Sequence, residues 1–280
     1  MSQAKTKRLV TFILLIASVL MAVIAIFPIY WMFITSLQHE AEMFTTKLRL
    51  LPGKITLENY VYAFRALPLL RIIMNTTFIS VTRTILSLFL CSLAGFAFAK
   101  LRFRGRDGLF LLLIWTMTIP FEAVVIPTFL MMVKLKWVNT YYPLIVPMAA
   151  DAFGIFLMRQ YISSVPDELV DAARIDGCSY FRTYSSVILP VVKPALVTLA
   201  VFVFKTAWND FLWPLVVIRK IDMQVLMVAI QIIPPIDPGV RSIPWGATMA
   251  VATISVLPLL ILFLFLQREF ISGATQGSIK

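Results

Sequence analysis

Charge is scarce in this sequence, and so are the residues that most enzyme chemistry needs. Only 14% of the 280 residues are charged, His39 is the single histidine, and there are two cysteines. Cys91 lies in an apolar block and Cys178 in a polar segment, which provides neither a disulfide framework nor a Cys/His spacing for zinc or haem. One histidine also leaves no basis for His-centred general acid/base catalysis. No G-x-x-x-x-G-K-[ST] run is present, so nucleotide binding by the P-loop route is excluded. No internal repeat or low-complexity tract is visible, which weighs against a carrier built from two related halves.

What the sequence has in excess is apolar residues: 60% of the chain, with a mean hydropathy of +0.90. Soluble chains are about half apolar and about a quarter charged. The excess is concentrated in blocks at about 9–37, 72–99, 108–133, 141–162, 194–218 and 243–266. Each is long enough for a helix crossing a hydrocarbon core about 30 Å thick. The expectation is an all-α, multi-pass membrane protein forming one transmembrane domain over 1–280, with six spans and both termini on the same side. The first block lacks an A-x-A-like cleavage site and is too long for a signal-peptide core, so it reads as an uncleaved helix kinked near Pro28.

The formal net charge of +11 comes from short clusters between the apolar blocks, and these form no continuous stripe of the kind nucleic acid demands. Lys5, Lys7 and Arg8, with Lys100, Arg102, Arg104 and Arg106, place the N-terminus and the segment after the second block in the cytoplasm. The bias summed over the chain is weak, so the orientation rests on these clusters. It leaves 163–193 and the tail 267–280 inside, and 38–71 and 219–242 outside.

The inside segment 163–193 is dense in helix signals. Ser164 is a capping residue, Pro166 suits a first turn, and Asp167 and Glu168 complement the positive end of a helix. Val165, Leu169, Ala172, Ala173 and Asp176 keep helical spacing, and Gly177 is placed to end the helix in a left-handed cap. Tyr180, Phe181, Tyr184, Val187 and Ile188 give a second apolar stripe, stopped by Pro190 and Pro194. Two readings are open: a knob for a partner's cleft, with small side chains permitting close approach, or a simple connection between two spans.

The spacing of this segment, Asp171-Ala172-Ala173, three residues, Gly177, nine residues, Val187-Ile188-Leu189-Pro190, resembles the EAA loop of ABC importer permeases. That loop reads E-A-A-x3-G-x9-I-x-L-P; here Asp171 replaces Glu and Val187 replaces Ile. The run Trp208 to Pro214, WNDFLWP, looks like the fifth-span signature of carbohydrate-uptake permeases. Gly273 to Lys280 looks like their G-x-T-x-G-x-x-K tail. Together they resemble the branch containing the maltose permease's smaller subunit and the glycerol-3-phosphate permease's second subunit.

This resemblance implies a type I importer permease fold and a translocation subunit that is itself no enzyme and binds no cofactor. It implies a second permease subunit, two cytoplasmic ATPase subunits that use ATP and Mg, and an extracytoplasmic solute-binding protein. The location implied is a bacterial or archaeal plasma (inner) membrane. Asp171 would contact the rim of an ATPase cleft, Ala172 and Ala173 would allow close approach, and Gly177 would make the turn. Leu189 and Pro190, with Val187, would anchor the loop. The tail residues Gly273, Thr275, Gly277 and Lys280 would sense ATPase closure, against the alternative of a plain polar terminus. The outside stretch Pro234, Pro235, Asp237, Pro238 and Gly239 is either a stiff loop that enters the binding protein or a surface turn.

Polar groups at membrane depth are Asn75, Arg83, Glu122, Asp151, Lys205, Asn209 and Asp210. They are costly there and read either as structural pairs, the favoured reading, or as the lining of a water-filled path. The cargo implied is a sugar or sugar-like solute such as an oligosaccharide, glycoside or polyol. Glycerol-3-phosphate or a phosphodiester is the alternative, with Arg83 and Lys205 the buried cations available to it. A rival of another class is an ion-coupled carrier using Glu122, Asp151 and Asp210.

Overall fold

The computed structural model describes residues 2–43, 50–51, 53–236 and 243–276. Among them every regular element is a helix. In chain order these are α1 (Ser2–Ser36), α2 (Glu40–Met43), α3 (Glu58–Ala66), α4 (Leu69–Lys100), α5 (Arg106–Thr116), α6 (Phe121–Lys134), α7 (Tyr142–Ile145) and α8 (Ala152–Ser163). There follow α9 (Asp167–Ile175), α10 (Tyr180–Thr183), a π-helical turn over Tyr184–Ile188, α11 (Leu189–Val191), α12 (Lys193–Trp208), α13 (Leu212–Val217), α14 (Leu226–Ile232) and α15 (Trp245–Gln276).

The apolar blocks do not all become uninterrupted rods. Stretches in α1, α4 and α15, Leu9–Ser36, Leu69–Lys100 and Trp245–Phe265, are each long and apolar enough to cross a membrane. The third block breaks after Thr116, where Pro120 precedes α6, and α5 and α6 meet at 101°. A second bend, of 84°, separates Tyr180–Val191 from α12, where Pro194 removes an N–H donor. Among the described residues, counting each bent pair as one span gives up to five by length and composition. The fourth block, 141–162, is the single turn α7 and the short α8 with irregular chain between them, and the fifth breaks after Trp208 before α13. Hydropathy sums cannot see such breaks, because a bent apolar segment scores like a straight one.

Where the sequence reads as one domain, the chain clusters into two compact units, Met1–Leu69 with Ala229–Leu257, and Leu70–Val228 with Pro258–Lys280. In the first unit, Asn59 is buried and donates to the carbonyls of Ser36 and Gln38 at 3.0 and 2.7 Å. Gly246 packs onto that amide so closely that a Cβ would lie 2.3 Å from its oxygen.

The second unit is organised by one face of α4. Thr76, Ser80, Thr84, Ser87 and Cys91 follow one another at spacings of four or three, and all are buried. Gly95 continues the stripe; a Cβ there would sit 2.7 Å from the Met158 Cβ and 2.9 Å from the Arg159 N. Gly154 of α8 meets Cys91 and Leu199 in the same way. Helices in lipid gain nothing from hiding apolar surface from water, so small residues that let backbones touch are what hold them. Thr76 and Thr84 turn their hydroxyls onto the carbonyls four residues back, at 2.8 and 2.7 Å, whereas the buried Ser80 hydroxyl between them has no partner among the described residues.

Candidate functional site

The conspicuous polar helix is α9, DELVDAARI. Its start differs from the sequence expectation. Ser164 bonds the Tyr161 carbonyl at 2.8 Å, Pro166 occupies the N-cap position with no side-chain cap, and Asp167 and Glu168 fill the first turn. The cap is replaced by a clamp. Lys100, the last residue of α4, donates to the Val165 carbonyl and to the Asp167 carboxylate, both at 2.5 Å. The Lys100 side chain is 4% exposed and that of Asp167 80% exposed, so the bond joins a buried ammonium to a solvated carboxylate. This hydrogen bond and the lysine charge hold the Asp167 carboxyl below the usual carboxylate range.

The C-terminus of α9 meets expectation. Gly177 has φ +77°, its N–H reaches the Arg174 carbonyl at 3.0 Å, and the Cys178 N–H reaches the Ala173 carbonyl at 2.9 Å. That pair of bonds is the Schellman arrangement. Arg174 lies over the Tyr180 ring at 5.5 Å across the turn.

The two alanines part company. Ala173 is 6% exposed and, with Val170, faces the chain itself, whereas Asp171 and Ala172 face outward. Of the two, only Ala172 lies on the outward face. Ile175 is 86% exposed and Leu169 is exposed as well, so the outward face of α9 has an apolar element that sequence reading missed. Its signal was an isoleucine in the last turn of an otherwise polar helix.

Behind α9, the loop is fused to the helices. Val165, Val170, Tyr184, Ile188 and Val192 share one buried cluster with Cys91, Phe96, Met158, Ile162 and Leu199. Tyr184 also exchanges a hydrogen bond with Ser92 of α4 at 2.7 Å. The expected anchors Leu189 and Pro190 are secondary: Leu189 and Val187 are half-buried and Pro190 is exposed, while Ile188 and Tyr184 are fully enclosed. The π-helical turn over Tyr184–Ile188 is the reason, since a wider turn rotates the following residues off the register that a regular helix predicts.

Of the outer loop, Pro234 and Pro235 are tied down, their carbonyls accepting from the Tyr62 hydroxyl at 3.1 and 3.0 Å. Asp237, Pro238 and Gly239 lie outside the described residues, as do Gly277 and Lys280 of the tail. Gly273 and Thr275 fall within α15, which runs to Gln276, beyond the boundary near 266 read from hydropathy.

The polar groups at membrane depth divide into two sets. Asn75 is structural: its amide donates to the Asp222 and Gln224 carbonyls at 2.8 and 3.1 Å and accepts from the Tyr141 hydroxyl at 2.8 Å. Arg83 pairs with Asp210 at 3.5 Å, a pair the sequence did not name. Glu122, Asp151, Lys205 and Asn209 are instead exposed on this chain, and among the described residues neither Glu122 nor Lys205 forms an ion pair. Hydrocarbon does not tolerate such groups cheaply, which leaves a partner chain or an aqueous path to face them. Asp151 caps α8 through the Gly154 N–H at 3.3 Å.

Arg83 and Asp151 also line a cavity of about 580 Å³ in the second unit, together with Thr116, Phe121, Phe153, Phe202 and Thr206. It is an amphipathic chamber, with a few charged and hydroxyl groups set among aromatic and aliphatic walls. Among the described residues no group of three or more His, Cys, Asp or Glu is arranged to hold a metal.

Comparisons with known proteins bear on the family and the fold. The chain is 36% identical to the arabinooligosaccharides transport system permease protein AraQ of Halalkalibacterium halodurans, over 99% of both chains. It is 30% identical to the sn-glycerol-3-phosphate transport system permease protein UgpE of Brucella abortus, over 91% of this chain and 92% of that one. Its fold superposes with a TM-score of 0.82, at 25% identity, on a chain of a bacterial ABC transporter involved in the import of the acidic polysaccharide alginate. That match covers 94% of this chain and 97% of the other. Residues 91–273, which include the whole of the α9 loop and the cavity residues from Thr116 onward, match the family described as binding-protein-dependent transport system inner membrane component, and the chain belongs to that family.

Proposed function

We propose that this chain is one translocation subunit of an ATP-driven importer for a sugar or sugar-like solute, and that α9 is the lever through which ATP hydrolysis moves it. The ATPase is a separate pair of cytoplasmic subunits using ATP and Mg, since this sequence has no P-loop. A second permease subunit completes the pathway, and an extracytoplasmic binding protein delivers cargo. Both termini and the α9 loop face the cytoplasm, following the clusters at Lys5 to Arg8 and Lys100 to Arg106.

One observation supports the lever most directly: α9 is two-faced. On its inner face Val170 belongs to the same buried cluster as residues of α4, α8 and α12 and Ala173 is buried, while its outer face offers Leu169, Asp171, Ala172 and Ile175. A rigid inner attachment with a small-residued outer surface suits a helix seated in another protein's cleft, because force on it reaches the packed helices without being absorbed in a flexible loop. Gly277 and Lys280, following α15, are proposed to reach the ATPase pair, and Pro234 to Gly239 to face the binding protein.

The experiment is affinity purification of the chain, tagged at its N-terminus, in mild detergent, with identification of what accompanies it. A P-loop ATPase and a second permease should be recovered, and Ala172→Trp should release the ATPase while leaving the second permease bound. Recovery of the chain alone would refute the reading.

Likeness to UgpE keeps glycerol-3-phosphate in view as cargo. The charge of Arg83, one of the two cations that would serve an anion, is offset by Asp210, which favours the sugar. Membership of the family displaces the ion-coupled carrier.

A further inference from the structure

We infer that the cavity between α4, α5, α6, α8 and α12 is a cargo subsite within this subunit, suited to a neutral saccharide and unfavourable to anions. The inference rests on the importer reading and goes beyond it, because nothing above requires this subunit to touch cargo.

The walls match what a sugar ring presents. Phe153 and Phe202 stand together with centroids 4.5 Å apart, forming an aromatic surface for the apolar face of a ring. The Thr116 and Thr206 hydroxyls donate to the carbonyls of Leu113 and Val203 at 2.6 and 2.9 Å, which orients their lone pairs for use as acceptors. Asp151 spends one oxygen on the Gly154 N–H, and the other has no partner among the described residues. These three groups accept, and a sugar hydroxyl is the complementary donor. In the opposite sense, Arg83 bonds Asp210 through Nη1 alone, and its Nε is buried with no acceptor among the described residues, so the guanidinium has donor capacity left.

Charge sets the class of cargo. Asp151 acts on Arg83 across the cavity, and Asp210 is bonded to the same guanidinium. Two carboxylates flank one guanidinium, so its positive charge is offset within this wall. A phosphate or uronate entering there meets repulsion, whereas a neutral polyhydroxyl ring meets hydrogen-bonding groups of both senses. An aromatic and aliphatic chamber with a few convergent polar groups is the general form of small-molecule sites.

The test uses the complete importer, this chain with its own partner subunits, carrying Cys178→Ser so that the buried Cys91 is the only native thiol of this chain, with labelling read on this chain after its separation. Thr206→Cys is introduced and its labelling by a membrane-impermeant trimethylammonium methanethiosulfonate is timed. The introduced thiol should react, and neutral pentose and hexose di- and trisaccharides should slow the reaction by about tenfold, as expected for a site mostly occupied. The same concentration of sn-glycerol-3-phosphate should not slow it. An introduced thiol that never reacts means lipid fills the cavity, and a rate indifferent to every saccharide means no subsite; both overturn the proposal. Equal protection by glycerol-3-phosphate overturns the charge argument.

As a second measurement, Asp151→Asn should lower uptake by about tenfold, the ratio that loss of one charged hydrogen bond produces, with subunit assembly intact by co-purification. Unchanged uptake in Asp151→Asn and Phe202→Ala, where the parent complex imports sugar, removes the subsite and spares the importer reading. A parent complex that imports no saccharide at all removes both.

Discussion

Gly95 gives a quantitative test of how the membrane helices are held. A Cβ placed there would sit 2.7 Å from the Met158 Cβ, 2.9 Å from the Arg159 N and 3.0 Å from the Met158 carbonyl carbon. The last two atoms are backbone, so no rotamer change relieves the contact, and α4 and α8 must move apart. Separating them loosens Met158 and Ile162, both completely enclosed. Overpacking of this kind costs about 1–3 kcal/mol. Against it stands the helix-propensity gain of alanine over glycine, about 1 kcal/mol in water. In a bilayer most of that gain vanishes, because a span that loses its neighbours remains helical. Gly95→Ala should therefore be net destabilising by about 1–2 kcal/mol.

Gly108 in α5 is the control, for nothing lies within 4 Å of its Cβ position. Gly108→Ala should be neutral or slightly stabilising. In thermal unfolding of the purified chain in lipid nanodiscs, Gly95→Ala should lower the midpoint by roughly 3–6 °C. Gly95→Leu should fall further. Equal midpoints for Gly95→Ala and Gly108→Ala would refute the claim that backbone contact at the small-residue stripe holds the unit together.

Four more outcomes follow from the loop. Gly177→Val should strain the left-handed cap by about 1–2 kcal/mol and weaken ATPase binding, and Gly177→Asn should do so less, because no neighbour obstructs a side chain there and only φ resists it. Lys100→Met should unclamp α9, read as uptake lost more than ATP hydrolysis, with Lys100→Arg partly restoring it. Because the Asp167 carboxyl lies below its usual range, the clamp is fully formed above the ordinary carboxylate value and lost only as pH falls through the lower folded one. Uptake should thus show no Asp167 titration from about pH 5 to 8, and a step there would contradict the assignment. Ile175→Asp should release the ATPase in pull-down without lowering the midpoint of the free chain, since the residue touches little of its own protein.

Composition and short-range pattern determined a great deal. Apolar blocks require helices in a bilayer, because no other open structure satisfies its backbone there. The end of α9 at Gly177 was legible because a positive φ has few candidates other than glycine. The pairing of Arg83 with Asp210 was foreseeable from the cost of leaving either alone, though the sequence named neither as the other's partner.

What the tertiary structure decided depends on contacts between residues far apart in the chain. That Ala173 turns inward and Ala172 outward depends on where α9 lies against Val170's neighbours, and one helical pattern accommodates either rotation. The anchoring of the loop by Tyr184 and Ile188 follows from a π-helical turn, which has no local sequence signature. The bends after Thr116 and before α12 fall at Pro120 and Pro194, but their angles, like the cavity, belong to the folded chain, and hydropathy counts composition without direction. Local chemistry fixed which segments are helical and which residues are costly to leave alone. The resolution of each cost, by clamp, pair or cavity, required the fold, since a partner a hundred residues away is invisible to any local pattern.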